Sequence, residues 1–160
     1  MGELRARVVT IVSGGQSGAD RAALDWAIRQ GIPYAGWCPH GGLAEDLTEP
    51  PGLLATYPLL RETSRPDVDD RTTFNVRDSD ATLLVILPGT EPSGGTAFTR
   101  DEALRLGRPH LLTDGVDPEV VGAWLASLPA GMILNVAGPR ESKAPGIYLA
   151  VTALLDALDA

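Results

Sequence analysis

A glycine-rich segment near the start of the chain has the composition of an anion-binding loop. Three glycines fall within the segment Gly14-Gly15-Gln16-Ser17-Gly18, which Ala19 and Asp20 follow. Glycines let backbone N–H groups approach an anion closely, and a helix that follows adds unpaired N–H groups and the positive end of its dipole. The segment fits neither the dinucleotide fingerprint nor the P-loop, which needs a lysine after its last glycine. By itself it is compatible with a ligand-binding loop or with a plain strand-to-helix turn.

Two later segments join an apolar run to a helical pattern through the same kind of loop. Residues 81–87 are continuously apolar, and the loop after them ends in Gly94-Gly95-Thr96. Residues 132–136 form the last predicted strand and are apolar except for Asn135, and the loop after them carries Arg140 and Lys143. Ligands of parallel sheets bind at the carboxyl ends of the strands. We therefore expect the three loops to meet at one edge of the sheet and to enclose one site.

A stripe of polar side chains lies between the first two loops. Asp69 or Asp70 can cap a helix that runs to about Asp78, and Arg71, Asn75 and Asp78 fall on one face of that helix. The stripe is compatible with a solvated helix face on which neighbouring side chains pair. It is equally compatible with Arg71 and Asn75 pointing at the mouth of the site.

Residues 38–70 are rich in glycine, proline and acidic side chains, and only residues 57–60 are apolar enough for a short strand. A loop of this length in a compact domain is usually functional. Cys38 and His40 could bind a metal, but a closed zinc site needs four ligands, and we predict no metal site. His110 lies in an apolar run after a proline and is predicted to be a packed core histidine.

The composition limits the partners of this chain. Its 160 residues suit one domain with one core, so we expect a single domain over residues 1–160. The net charge of −8 and the aromatic content of 5% disfavour binding to nucleic acid and to anionic membranes. Cys38 is the only cysteine, and no signal peptide or membrane-spanning segment is recognisable, which favours a cytoplasmic protein.

Strand and helix patterns alternate along the chain. Strands are predicted at residues 8–12, 34–37, 57–60, 81–87, 110–113 and 132–136, and helices at residues 20–30, 69–78 and 96–106, from 117 and from about 145. This alternation predicts an α/β fold, a three-layer sandwich with a mainly parallel sheet. The strand at residues 81–87 is apolar throughout, so it is predicted to lie in the middle of the sheet.

Several segments, taken together and in order, resemble the molybdenum carrier family, also described as circularly permuted YpsA. They are Gly14-Gly15-Gln16-Ser17-Gly18-Ala19-Asp20-Arg21-Ala22-Ala23, Gly36-Trp37-Cys38-Pro39, Ala44-Glu45-Asp46, Arg71-Thr72, Asn75-Val76-Arg77-Asp78-Ser79-Asp80, Gly94-Gly95-Thr96 and Asn135-Val136-Ala137-Gly138-Pro139-Arg140-Glu141-Ser142. The resemblance covers nearly the whole chain. The chain departs from the family around Gly41-Gly42 and over residues 47–55, where the family commonly has a basic residue after the first glycine and a shorter loop.

The resemblance implies a Rossmann-like fold related to the lysine-decarboxylase-like and LOG proteins, assembled as a homodimer or homotetramer. Some members of the family are reported to bind the molybdenum cofactor (molybdopterin), a pterin that carries a phosphate. The first functional hypothesis is therefore a carrier of that cofactor or of a related phosphorylated, nucleotide-like small molecule. The second is a LOG-like nucleotide-cleaving hydrolase with a replaced catalytic acid.

The sequence favours binding over hydrolysis. LOG proteins place a glutamate three residues after the Gly-Thr pair, but Thr99 stands three residues after Thr96 here. Asp20, Glu45 and Asp46 are the candidate replacement acids, and no catalytic residue is predicted. The predicted ligand-binding residues are Gly14, Gly15, Gln16, Ser17, Gly18, Ala19, Asp20, Arg71, Asn75, Arg77, Gly94, Gly95, Thr96, Asn135, Gly138, Pro139, Arg140, Glu141, Ser142 and Lys143.

A loop that binds an anion through its backbone N–H groups tolerates no side chain close to the ligand. We therefore expect Gly15→Val and Gly95→Val each to abolish binding and to leave the fold largely intact. Arg140 is predicted to contact the ligand, because it follows the Gly138-Pro139 turn at the same edge of the sheet as the other two loops.

Overall fold

A five-stranded parallel sheet organises the fold of this protein, as seen in a computed structural model that describes residues 2–160. Its strands lie in the order β2-β1-β7-β5-β6, and all four neighbouring pairs are parallel. The bounds are β1 Val8–Val12, β2 Tyr34–Ala35, β5 Ala81–Val85, β6 His110–Thr113 and β7 Met132–Ala137. All five side chains of β5 are buried. Burial of β5 on both faces is as predicted, but β5 lies next to the edge strand β6, and the middle strand of the sheet is β7.

Helices cover both faces of the sheet. They are α1 Glu3–Arg7, α2 Ala19–Gln30, α3 Leu53–Thr56, α4 Val68–Arg77, α5 Gly94–Arg105, α6 Pro118–Ala126 and α7 Ile147–Leu158. The main core joins α1, α2, α6 and α7 to one face, through side chains such as Trp26, Leu83, Leu134 and Leu155. Helices α4 and α5 pack together over the other face, on which Leu84 is buried. The fold is a three-layer, Rossmann-like α/β sandwich, as predicted.

Two predicted elements near the long loop differ from the structure: one strand is shorter than predicted and one is absent from the described residues. The strand predicted at residues 34–37 is interrupted at Gly36, whose φ of 145° lets its backbone pack against the carbonyl of Ser13. Strand β3, Trp37–Cys38, therefore leaves the main sheet and pairs with β4, Arg61–Glu62. Residues 57–60 form no strand.

A smaller core explains the apolar residues that suggested a strand at 57–60. It consists of Leu24, Cys38, Ala44, Leu53, Tyr57 and Leu60. Tyr57 also donates a hydrogen bond to Asp25 of α2 at 2.5 Å. Burial in this cluster, not pairing in a sheet, accounts for the apolar character of the segment.

Two local predictions change in detail. Helix α4 is capped by Asp67, whose carboxylate accepts a hydrogen bond from the Asp69 N–H at 2.9 Å, and not by Asp69 or Asp70. His110 is half-buried on the edge strand β6 and not packed in the core, because among residues 2–160 no strand pairs with the outer side of β6. Within residues 2–160, none of the helices combines the length and the apolar character that crossing a bilayer requires.

Candidate functional site

The three glycine-rich loops meet in a cleft at the carboxyl ends of β1, β7 and β5, which are neighbours in the sheet. The cleft has a volume of about 150 Å³. The predicted site residues that line it are Gly14, Gln16, Asp20, Arg71, Asn75, Gly95, Thr96, Asn135, Gly138, Pro139, Arg140 and Lys143. Parallel strands that end at the same edge bring these distant segments together.

The structure adds five lining residues that the sequence analysis missed: Val68, Thr72, Ser93, Thr99 and Ala137. Thr99 lies one helical turn after Thr96, and this spacing could have indicated it. Thr72 and Ala137 directly adjoin predicted residues. Val68 lies at the start of α4, one turn before Arg71, and had no chemical signal of its own.

Three cationic side chains line the cleft, in a chain whose net charge is −8. The guanidinium of Arg71 lies 3.3 Å from the Asp20 carboxylate. The guanidinium of Arg140 donates a hydrogen bond to the Ser142 hydroxyl at 3.2 Å and lies 3.8 Å from Glu45. Within residues 2–160, no carboxylate lies within 4.0 Å of the Lys143 ammonium. The cleft therefore carries a local excess of positive charge that attracts anions.

Helix α5 begins inside the cleft. Its N-cap residue Ser93 makes no side-chain cap hydrogen bond, and Ser93, Gly95 and Thr96 all line the cleft. The first backbone N–H groups of a helix lack intrahelical partners, and together with the helix dipole they favour a bound anion. At Gly95 an added Cβ would meet open space, so this part of the backbone is accessible to a ligand.

Close packing of the loops on one another explains several of the glycines. A Cβ at Gly14 would meet the guanidinium of Arg71, and one at Gly18 would lie 2.6 Å from the backbone nitrogen of Glu141. A Cβ at Gly138 would lie 2.7 Å from the Cβ of Ala19. Gly18 and Ala19 therefore hold the β1 loop against the β7 loop and do not line the cleft.

A second group of predicted residues lies on the outer side of these loops. The Ser17 hydroxyl donates a hydrogen bond to Glu45 at 2.7 Å, and the Ser142 hydroxyl lies 3.1 Å from the same carboxylate. The hydrogen bonds from Ser142 and Ser17 lower the pKa of Glu45. The Glu141 carboxylate caps α7 by accepting the backbone N–H of Gly146 at 2.6 Å. Ser17, Glu141 and Ser142 thus connect loops and do not line the cleft.

The remaining predicted residues lie beside or away from the cleft. Gly94 adjoins it, and an added Cβ there would be 3.0 Å from the Lys143 ammonium. Gly15 faces the smaller core, because a Cβ there would be 2.8 Å from Leu53. The guanidinium of Arg77 lies over the Phe74 ring and forms an ion pair at 2.8 Å with the adjacent Asp78.

The two asparagines that line the cleft already have protein partners. The Asn75 side chain accepts the backbone N–H of Trp37 at 2.7 Å and donates to the carbonyl of the same residue at 3.0 Å, which fixes β3 to α4. Asn135 is buried and donates to the Thr82 hydroxyl at 3.3 Å. Of the predicted polar stripe, Arg71 and Asn75 reach the cleft, whereas Asp78 does not.

The candidate replacement acids differ in position. Asp20 is the only carboxylate among the cleft-lining residues of the described chain, and burial raises its pKa to about 6 despite the opposing effect of Arg71. Glu45 lies outside the cleft, and Asp46 forms an ion pair with Arg21 at 2.8 Å. At the position of the LOG glutamate, the Thr99 hydroxyl donates to the Gly95 carbonyl at 2.7 Å.

No cluster of metal ligands accompanies the cleft. Among residues 2–160, no three His, Cys, Asp or Glu side chains are close enough together to hold a metal ion. Cys38 is buried in the smaller core, where burial raises the pKa of its thiol to about 11. The His40 ring lies 3.0 Å from the Thr63 carbonyl.

These features define a Rossmann-like α/β protein with a cationic cleft at the carboxyl edge of its sheet. The model of the Circularly permutated YpsA SLOG family matches residues 11–158. The chain belongs to that family, as the motifs indicated.

A solved structure is similar over nearly the whole length. The crystal structure at 1.45 Å resolution of the "putative molybdenum carrier protein" from Syntrophus aciditrophicus SB aligns with a TM-score of 0.86 and 40% sequence identity. The alignment covers 97% of each chain. No curated protein matches the chain.

Proposed function

We propose that this protein is a carrier that binds a phosphorylated small molecule in the cleft, with the molybdenum cofactor as its cargo. The observation that carries the proposal is the convergence of Arg71, Arg140, Lys143 and the start of α5 on one small cavity of an acidic protein. The description of the similar solved structure as a molybdenum carrier supports the choice of cargo.

The phosphate of such a cargo fits the residues present. Guanidinium groups and helix N-termini are common phosphate partners, and Lys143 adds an ammonium without a competing carboxylate in the described chain. The volume of about 150 Å³ is smaller than the roughly 300–1,000 Å³ typical of pockets that enclose a whole ligand. We therefore assign the cleft to the phosphate end, and the pterin extends toward solvent.

The residues of α5 favour binding over hydrolysis. The side chain of Thr99 offers no proton-accepting carboxylate at the start of α5. Glu102, further along α5, accepts hydrogen bonds from Thr73 and Arg105, both at 2.6 Å. Neither residue supplies a free general base to the cleft.

Titration calorimetry with a phosphorylated pterin and with its dephosphorylated counterpart tests the proposal. A charged hydrogen bond contributes about 1.5–3 kcal/mol, which corresponds to roughly ten- to hundredfold in affinity. We expect at least a tenfold preference of the wild type for the phosphorylated compound, and loss of this preference in Lys143→Ala. Arg108→Ala is the matched control, because Arg108 follows the far end of α5 and does not line the cleft. Equal affinities of the wild type for the two compounds would contradict the proposal.

A further inference from the structure

Asp20 stands out because it is a buried anion in a cleft that is otherwise built for anions. The residue is only 7% exposed, yet it lines the cleft together with Arg71, Arg140 and Lys143. A carboxylate at this position partly neutralises the positive charge of the cleft. A cleft that only binds phosphate does not require this carboxylate.

Two opposing effects act on the charge of Asp20. Burial disfavours the carboxylate and raises its pKa, whereas the charges of Arg71 and Arg21 and the nearby backbone of Gln16 and Gly138 lower the pKa by a smaller amount. The Arg71 guanidinium lies 3.3 Å from its carboxylate. Asp20 thus lies between the β1 loop and the β7 loop, because the N–H of the preceding residue Ala19 donates to the Pro139 carbonyl at 3.2 Å.

We propose that the Asp20 carboxylate is a built-in anion of the cleft, which fills the position between the β1 and β7 loops and weakens the binding of external anions at the α5 end. The proposal rests on the proposed function, since it assumes that the cleft binds an anionic group. It assigns the phosphate of the ligand to Ser93, Gly95, Thr96, Arg140 and Lys143, away from the Gly14 loop. It also assigns to Asp20 the role of a residue that sets affinity for anions.

Protonation of Asp20 then strengthens anion binding. Burial raises its pKa to about 6, so the carboxyl group is mostly neutral at pH 5 and ionised at pH 8. The groups that face it are Arg71 on α4 and Arg21 on α2, and Arg140 and Lys143 lie across the cleft; all four are cations. Neither of the two histidines, His40 and His110, lines the cleft.

Sulfate is a suitable probe because its charge does not change between pH 5 and pH 8. We expect the wild type to bind sulfate at least tenfold more tightly at pH 5 than at pH 8. Asp20→Asn should bind sulfate at pH 8 about tenfold more tightly than the wild type and should lose the dependence on pH. Asp101→Asn removes the same charge from an exposed position of α5 outside the cleft and should bind sulfate like the wild type.

Two outcomes would overturn the inference. One is equal or weaker sulfate binding in Asp20→Asn than in the wild type, which would mean that Asp20 positions Arg71 for the ligand. The other is equal sulfate affinity of the wild type at pH 5 and pH 8, a result that does not depend on the folding of any variant. The variant Lys143→Ala distinguishes a failure of this inference from a failure of the proposed function. Weaker sulfate binding in Lys143→Ala is consistent with the proposed function, whereas unchanged sulfate binding contradicts it.

Discussion

The hydroxyl of Ser17 accepts a hydrogen bond from the backbone N–H of Glu141 at 3.2 Å, which joins the loop after β1 to the loop after β7. The same hydroxyl donates to Glu45 at 2.7 Å. These contacts tie three distant segments together behind the cleft. The residues around the cleft therefore fall into a group that lines the cleft and a group that holds the loops in place.

Ser17→Ala should destabilise the protein without weakening anion binding. The substitution leaves the Glu141 N–H and the Glu45 carboxylate without this partner, and a lost hydrogen bond of this kind costs about 1–3 kcal/mol. Urea denaturation measures the free energy of unfolding, and titration with sulfate measures the affinity. Wild-type stability together with weaker sulfate binding would mean that Ser17 contacts the ligand.

Gly95→Val should weaken sulfate binding at least tenfold with little change in stability, because its Cβ enters open space at the start of α5.

Gly15→Val should behave differently from Gly95→Val. Gly15 has a φ of 79° and an added Cβ would be 2.8 Å from Leu53, so we expect this variant to lose stability. The expectation from sequence that both variants keep the fold is corrected for Gly15. Thermal denaturation and sulfate titration of both variants check the contrast, and equal melting temperatures would contradict it.

Arg140→Ala should weaken binding of a phosphorylated ligand by at least tenfold, as a charged hydrogen bond of about 1.5–3 kcal/mol implies. Its stability should change little, because the Arg140 side chain is 46% exposed and its distance of 3.8 Å from Glu45 describes a weak surface pair. Calorimetric titration and thermal denaturation of the same sample measure both quantities. A lowered melting temperature with normal affinity would assign Arg140 a structural role.

Asp20 should make the stability of the protein depend on pH. Its pKa is about 6 in the folded protein and about 3.9 in an unfolded chain. Between these values the folded state holds a proton that the unfolded state has lost, so the contribution of Asp20 to stability is present below pH 4 and is lost as the pH rises through 6. Relative to Asp20→Asn, the free energy of unfolding of the wild type should be lower at pH 8 than at pH 5 by on the order of 1 kcal/mol, because only the interval from pH 5 to the folded pKa of about 6 contributes.

Urea denaturation at both pH values gives this difference in the free energy of unfolding. The comparison with the variant is needed because hydrogen bonds lower the pKa of Glu45, Asp46, Asp78 and Glu102, and their protonation destabilises the fold in acid. If the difference in the free energy of unfolding between the wild type and Asp20→Asn were the same at both pH values, the result would contradict the assigned burial of Asp20.

The family resemblance predicts a homodimer or homotetramer. Exposed apolar side chains of α2 and α7, Ile28 and Leu149, offer a surface on which helices of two copies can pack. Sedimentation equilibrium at micromolar concentration should give a mass of two or four chains. A monomer at this concentration would contradict the prediction.

The sheet and the position of the site could be predicted from sequence because local patterns determine them. Runs of mostly apolar residues predicted the strands β1, β5, β6 and β7. The glycine-rich loops that follow three of these strands predicted the edge of the sheet at which the cleft lies. The i, i+4 spacing also brought Arg71 and Asn75 to the cleft.

What could not be predicted depends on tertiary contacts. Arg77 has the charge of a ligand residue, but stacking on Phe74 and pairing with Asp78 hold it elsewhere. Glu141 and Ser17 carry polar groups that the loops use for each other. Tyr57 and Leu60 looked like a strand because burial in a cluster gives the same composition as burial in a sheet.

Native mass spectrometry of the protein purified from its own host, followed by acid release of whatever it carries, tests the central claim most directly. We expect the wild type to carry a phosphorylated pterin, with up to one molecule per chain, and the Arg140→Ala/Lys143→Ala double variant purified in the same way to carry none. Release of a ligand without a phosphate group, or equal loading of the wild type and the double variant, would contradict the claim that the cationic cleft binds the cargo.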